Sequence, residues 1–375
     1  MIITTKGATQ EQLDDLIAQM LELGFNDVKQ VSGTAFDDPS ERLITLHGMG
    51  DVPSDIEATP FLALGYVIDA QRISSSQPYK LISREHHPDL GKNGQTLQVK
   101  VGNVIFGGSS PVYIAGPCAV YNEDQMMTTA FAAKEGGAHM LRGGAFKPRT
   151  SPHSFQGLGE DGVKLLVRAR DATGLPVVTE ARSERELEVL LKYEIDMVQI
   201  GTRNAQNYEF LREVAKATDK NGNPIPVLLK RGLAEDVKTW LGSAEYFPFH
   251  DNWNVVLCER GVAPTSYTVG RNISDFQAII EVHVNAILPV IYDPSHSTGK
   301  MMFVEPASLS AVAHGAQGLI IDIRMDSDKV AIHYMQDGRE RVASYCDYDQ
   351  AVVPSALKRI IERADRLVLE DAVVH

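Results

Sequence analysis

Between Val112 and Ile323 eight short apolar runs recur, separated by stretches with helical periodicity, and few folds accept that rhythm. The runs are Val112 to Gly116, His139 to Arg142, Pro176 to Glu180, Met197 to Gly201, Pro226 to Lys230, Asn254 to Glu259, Leu288 to Tyr292 and Gly318 to Ile323. Amphipathic segments such as Asp161 to Asp171, Ser183 to Tyr193, Gln206 to Ala217, Glu235 to Tyr246, Ser274 to Val284, Glu305 to His314 and Pro354 to Leu369 lie between and after them. Near-continuous apolar strands with helical crossovers predict a parallel sheet covered on its faces. Eight such units, in a stretch close to the roughly 250 residues that a (β/α)8 barrel takes, predict a closed barrel rather than an open doubly wound sheet.

The chain is 375 residues long, which leaves room for a small domain before the barrel. From Met1 to Ser83 the pattern reads βαββαβ: Met1 to Thr5, a helix over Thr9 to Leu23, Asp27 to Val31, Arg42 to His47, a weak helix around Asp55 to Leu64 that Pro60 interrupts, and Gly65 to Ile68. Thr9 is a natural N-cap and Gly24 a natural stop. That order predicts a ferredoxin-like accessory or regulatory unit. Residues 74–96 are polar, bear Pro and Gly and lack periodicity, as linkers do. The expected organisation is therefore 1–83 for the ferredoxin-like domain, 84–104 for a linker and 105–375 for the catalytic barrel. His86 and His87 fall in the linker. Adjacent positions on extended backbone point opposite ways, so they are expected to be solvated or supporting residues rather than a metal site.

A barrel of this kind carries its chemistry at the C-terminal ends of its strands. The residues at or just after the ends of the apolar runs are Cys118; Arg142 with Lys147 and Arg149; Glu180; Arg203; Lys230 with Arg231; Glu259 with Arg260; Asp293 with His296; and Asp322 with Arg324. Arg142, Lys147, Arg149, Arg203, Lys230 and Arg260 supply more positive charge than one carboxylate needs. On a chain with net charge −13 this concentration predicts a pocket for a small, highly anionic ligand. Nucleic acid and anionic membrane are excluded as main partners, because both are bound by surplus Lys and Arg. Gly143 and Gly144 allow close backbone approach, and Thr150 and Ser151 add donors. Cys118, His296, Asp322 and Asp337 form a second set, a thiol, an imidazole and carboxylates, which are ligand types for a divalent transition metal. Cys118 taken alone reads more readily as a small buried residue than as a ligand. The three cysteines are widely spaced, the N-terminus has no apolar leader and no apolar run is long enough to span a bilayer, so a cytoplasmic location is expected.

The segments AGPCAV (115–120), LRGGAFKPRTSPHSFQGLG (141–159), TEA (179–181), QIGTRNAQNYE (199–209), PVLLKRG (226–232), VVLCERG (255–261) and LPVIYDPSHSTGK (288–300) together resemble 3-deoxy-D-arabino-heptulosonate 7-phosphate (DAHP) synthase, type I-beta. The N-terminal segment and PYKLISREHHP (78–88) are similar to that subclass's ferredoxin-like extension. The resemblance implies a transferase that joins phosphoenolpyruvate to erythrose 4-phosphate and releases phosphate, in the first step of the shikimate pathway towards aromatic amino acids. It implies that Arg142, Lys147, Arg203, Lys230 and Arg260 hold phosphoenolpyruvate, that Arg149 and Thr150, with Ser151, meet the aldose phosphate, and that Asp293 belongs to the same pocket. Cys118, His296, Asp322 and Asp337 become the ligands of Mn, Fe, Co or Zn, with Lys147 as a proton donor. An aromatic amino acid effector and a homo-oligomer, dimer or tetramer, are further implications.

Three departures from the family wording stand out. The strand-eight ligand is Asp322 in IIDIR where the family has Glu; the region YMQDGRE around Asp337 is unusual; and VAPTSYTVGRN (262–272) replaces the family segment after CERG. They leave open a paralogue that uses a different phosphorylated aldose, and a barrel that senses a phosphometabolite without turnover. A synthase of octulosonate or sialic acid type is disfavoured by KPRTS.

Overall fold

The computed structural model describes residues 1–375 except 33–42, 51–55, 72–77, 88–89, 91–94, 150, 267–268, 329–330, 337 and 375. Packing divides the chain into two units, Met1–Leu97 with Val284–Ile287, and Gln98–His283 with Leu288–His375.

In the first unit, β1 (Ile2–Lys6), β2 (Asp27–Ser32), β3 (Leu43–Met49) and β4 (Val67–Gln71) form an antiparallel sheet in the order β2-β3-β1-β4, with α1 (Gln10–Glu22) and the short α2 (Thr59–Leu62). This is the ferredoxin-like arrangement. Thr9 caps α1 through a capping box with Gln12: its hydroxyl accepts from the Gln12 amide, and the Gln12 side chain accepts from the Thr9 amide at 2.8 Å. Leu13, Leu16 and Met20 of α1 bury against Ile3, Ile44 and Leu46. Pro60 sits in the first turn of α2, where its missing N–H costs nothing, so it starts that helix rather than interrupting it.

Of the two expectations for His86 and His87, solvated or supporting, burial overturns the first. They are 4% and 3% exposed and pack around His47 of β3, with both ring centroids 6.2 Å from the His47 centroid. The backbone there is not extended: Arg84–His86 is a 3-10 turn, and the His87 Nε2 lies 2.6 Å from the Leu81 carbonyl. Burial first, and the neighbouring histidines second, hold His47 well below the usual imidazole range and His86 at about 4.

The second unit is built on a closed barrel of parallel strands: β7 (Val112–Gly116), β8 (Met140–Arg142), β9 (Val177–Ala181), β10 (Met197–Ile200), β11 (Val227–Lys230), β12 (Val255–Glu259), β13 (Val290–Tyr292) and β14 (Gly318–Asp322). β14 pairs with β7 from Gly318↔Val112 to Asp322↔Gly116, which closes the ring. The outer helices include α3 (Glu123–Glu135), α4 (Glu160–Thr173), α5 (Glu184–Lys192), α6 (Tyr208–Lys216), α7 (Val237–Phe249), α8 (Gln277–Asn285), α9 (Pro294–Thr298), α10 (Met301–Ala313) and α11 (Pro354–Val374).

The stretch 84–104, expected as a linker, divides between the two units. Its end belongs to a hairpin of β5 (Val99–Val101) and β6 (Val104–Phe106). Val99, Val101, Val104 and Phe106 are buried in one cluster with Ile114, Met140, Val178, Met197, Leu228, Val256, Ile291 and Ile320 from the strands. The hairpin therefore plugs the barrel floor, because its alternating apolar residues all face one way. A second hairpin, β15 (Ala331–Gln336) and β16 (Arg339–Ser344), follows β14. Its Tyr334 packs with Tyr121, Phe155 and Tyr345 beside Cys118.

Candidate active site at the barrel mouth

Side chains alternate along a strand, so an inward-facing residue is followed two positions later by another. On five strands that step changes chemistry at one level of the barrel: Met140 to Arg142, Val178 to Glu180, Leu228 to Lys230, Ile291 to Asp293 and Ile320 to Asp322. The loop after each strand then adds further groups. The result is a cavity of about 370 Å³ lined by Arg142, Lys147, Arg149, Ser151, Glu180, Arg203, Lys230, Arg260, Arg271, His296 and Asp347, among others.

All six cations expected at the mouth line this one cavity. Arg142, Lys147, Lys230 and Arg260 are at most 7% exposed, whereas Arg203 is exposed and Arg149 partly so. Two of the buried ones are neutralised from behind, Arg142 by Asp322 and Lys230 by Asp293. Among the described residues, Lys147, Arg149, Arg203 and Arg260 make no ion pair with a carboxylate. Buried unpaired charge is costly, and an anionic ligand is the natural compensation. Arg260 is aimed by its backbone: the Glu259 carboxylate accepts from the amides of Arg260 at 2.9 Å and Gly261 at 2.5 Å, and the Arg260 guanidinium donates to the His296 carbonyl at 3.1 Å.

Lys147 folds back towards β7. Its Nζ donates to the Cys118 carbonyl at 2.7 Å and reaches the Cys118 Sγ at 3.2 Å. A Cβ at Gly144 would lie 2.6 Å from both the Cys118 carbonyl oxygen and the Lys147 Cδ, so this bend requires glycine. Burial acts most strongly on Lys147, and against its charge. The Cys118 and Cys346 sulfurs and Asp347 outweigh it, and Lys147 stays above its ordinary range. Glu180 shares the cavity, accepts from the Gln199 amide at 3.2 Å, and is pushed up by burial.

Cys118, His296, Asp322 and Asp347 bring one ligand atom each within 4.8 Å of one another. The His296 Nε2 lies 4.0 Å from the Cys118 Sγ, 3.7 Å from the Asp322 Oδ2 and 3.6 Å from the Asp347 Oδ2. The His296 Nδ1 is 2.9 Å from the Asp293 Oδ2, an arrangement that assigns the ring proton to Nδ1 and leaves the Nε2 lone pair facing the other three. Burial is the largest influence on Asp347 and opposes its charge, but His296, Arg271 and Lys147 together hold it below the usual carboxylate range. One sulfur, one imidazole nitrogen and two carboxylate oxygens converging on one point fit a divalent transition ion. Cys346 lies 3.1 Å from Cys118, sulfur to sulfur; that hydrogen bond, with burial, pushes the Cys118 thiol well up.

Thr150 and Asp337 lie outside the described residues. The second carboxylate of the cluster is Asp347, ten residues beyond Asp337, at the end of the β15–β16 excursion. Asp293, expected among the substrate-binding residues, does not line the cavity. It is fully buried and spans Lys230 and His296, so it orients them. Asp347 and Arg271 carry no motif of their own. The signal that could have found Asp347 is positional, since Cys346-Asp347 lies between the last barrel strand and the closing helix.

The sequence model for the DAHP synthetase I family matches residues 84–346. The chain is 43% identical over 269 residues to a phospho-2-dehydro-3-deoxyheptonate aldolase of Thermotoga maritima, covering 70% of this chain and 73% of that protein. It is 28% identical over 261 residues to a 2-dehydro-3-deoxyphosphooctonate aldolase of Geotalea uraniireducens, covering 62% and 88%. A crystal structure of the Thermotoga maritima DAHP synthase superposes with a TM-score of 0.69 at 34% identity, covering 99% of this chain and 97% of that one.

Proposed function

This chain belongs to the DAHP synthetase I family, and we propose from that premise how its barrel mouth condenses phosphoenolpyruvate with erythrose 4-phosphate to give DAHP and phosphate. The observation that carries the reading is a cavity lined by cations, four of them without carboxylate partners among the described residues, and by His296 and Asp347, two members of a sulfur, nitrogen and oxygen donor set completed by Cys118 and Asp322 behind them.

Arg142, Lys147, Lys230 and Arg260 form the deep anion site and take the phosphate and carboxylate of phosphoenolpyruvate, with Arg203 at the rim. Arg149 and Ser151, nearer solvent, take the phosphate of the aldose, and Thr150 joins them by sequence. Cys118, His296, Asp322 and Asp347 would hold a divalent ion, which when bound supplies Lewis-acid polarisation of the aldehyde carbonyl. C3 of the enol then bonds to the aldehyde carbon, water adds at C2, and the C2 oxygen bond to phosphate breaks. Lys147, whose Nζ lies 3.2 Å from the Cys118 sulfur, would deliver the proton that the former aldehyde oxygen acquires. The fixed guanidinium and ammonium groups stabilise charge as phosphate departs.

The test is phosphate release by the full-length protein, with and without erythrose 4-phosphate, after chelation and after return of Mn2+, Fe2+, Co2+ or Zn2+. Release should require both the aldose and the ion. Release that prefers a five-carbon aldose phosphate would assign the chain to a paralogue, and phosphoenolpyruvate binding without release would make it a sensor. The same reading extends to a homo-oligomer whose ferredoxin-like unit answers to an aromatic amino acid. Titration of the assay with tyrosine and phenylalanine, and a solution mass, test those two points.

A further inference from the structure

Two groups outside the four ligand candidates hold the carboxylates in place. Gln350 is 2% exposed, and its amide nitrogen donates to the Asp322 Oδ2 at 2.7 Å. Arg271 donates at 3.2 Å to the Gln350 amide oxygen and at 3.2 Å to the Asp347 Oδ1. The chain of contacts therefore runs Asp322, Gln350, Arg271, Asp347. It leaves the Asp347 Oδ2 turned towards Cys118, at 3.1 Å from the sulfur, and towards His296. A carboxylate only accepts, and a guanidinium only donates, so a bridge in this order needs a neutral side chain with both a donor and an acceptor, which the Gln350 amide supplies. Its orientation is fixed by its neighbours.

The bridge answers a physical difficulty. A buried carboxylate, Asp322, and a partly buried one, Asp347, facing one point repel each other, and Asp322 reaches one methylene less far than Glu would. Arg142 secures the Asp322 Oδ1, and Gln350 donates to its Oδ2, which the His296 Nε2 approaches only to 3.7 Å. The Arg271 backbone is fixed in turn, its amide donating to the Thr298 carbonyl at 2.9 Å at the end of the helix that carries His296. Three of the four ligand positions are thus tied to one clasp.

We infer that Gln350, held by Arg271, is a positioning residue that presents Asp322 and Asp347 as a single metal-binding pair. The inference rests on the four-ligand reading above. Groups of this supporting kind typically tune metal affinity by about 10- to 100-fold.

The test is Co2+ affinity by competition with a chromophoric chelator, together with the thiolate-to-cobalt absorption band, for the wild type, Gln350→Met and Arg271→Lys. Met keeps the volume of Gln without its bonds; Lys keeps the charge of Arg but cannot span Gln350 and Asp347. Gln350→Met should bind Co2+ about 10- to 100-fold more weakly with a shifted band, Arg271→Lys several-fold more weakly, and the double variant no worse than Gln350→Met. Thermal unfolding of the metal-free proteins should change little, which separates positioning from general destabilisation. Unchanged affinity and band in Gln350→Met would overturn the clasp while leaving the ligand set intact. A wild type that takes up no ion, or a Cys118→Ala variant with unaltered uptake, would instead bring down the ligand set, and the clasp with it.

Discussion

The floor and the mouth of the barrel are made from the same strands and differ by one inward-facing position. On the floor, Met140, Val178, Leu228, Ile291 and Ile320 close on the β5–β6 hairpin in a dry apolar cluster. One step up, Arg142, Glu180, Lys230, Asp293 and Asp322 replace them. Hydrophobic burial is non-directional and tolerates any well-filled packing, so the floor can hold the ring together without aiming anything. Charge is directional in its demands: each mouth group needs a partner, a ligand or both. Stability and chemistry are therefore stacked in separate layers, and changes in the two layers should be separable in experiment.

The largest separation is expected at Phe106. Phe106→Ala should destabilise the barrel by about 3 to 5 kcal/mol, read by denaturant unfolding, because it empties a fully buried aromatic site in the plug. The Michaelis constants of the folded fraction should not move. A variant that unfolds normally but loses substrate affinity would break the layered picture.

Lys147→Met should show the reverse pattern. A loss of about 100-fold or more in kcat, with little change in unfolding, is the expected outcome for removing a proton donor whose charge burial disfavours. If rates persist, the proton comes from elsewhere.

Within the mouth, Arg149→Ala sharpens the contrast between deep and rim cations. It should raise KM for the aldose phosphate about 10-fold and leave KM for phosphoenolpyruvate nearly unchanged, since the lost group is a charged donor nearer solvent. Equal effects on both substrates would mean that the two anion sites are not divided as described.

The smallest effect concerns the first unit. His47 and His86 have folded-state values below those of the unfolded chain, so the unfolded state takes up protons first as pH falls. The contribution of His86 to stability is complete above about 6.5, declines below that, and is lost as pH passes about 4; that of His47 also declines as pH falls. Thermal melts between pH 7 and 4.5 should show the midpoint of the ferredoxin-like unit falling by several degrees. His47→Phe should flatten that dependence, and an unaltered slope would remove the histidine cluster as its cause.

The barrel was legible in the sequence because its strands are continuous apolar runs, and their ends carried the charged residues that now line one cavity. Residues 99–106 were harder to read, since three-residue strands are too short for periodicity to separate from a linker. Asp347 escaped for a different reason. Its role depends on the β15–β16 excursion returning the chain to Cys118, a tertiary event with no local signature. The burial of His86 and His87 has no local signature, because they pack around His47, about forty residues away.

The hairpin stopper under the barrel settles traffic as well as packing. With the interior below filled by strand and hairpin side chains, the mouth is the way in, and on the proposed assignment the reactant held by the deepest cations would enter before the one held at the rim. A few valines and one phenylalanine far from the chemistry thus help to decide from which side it can be reached.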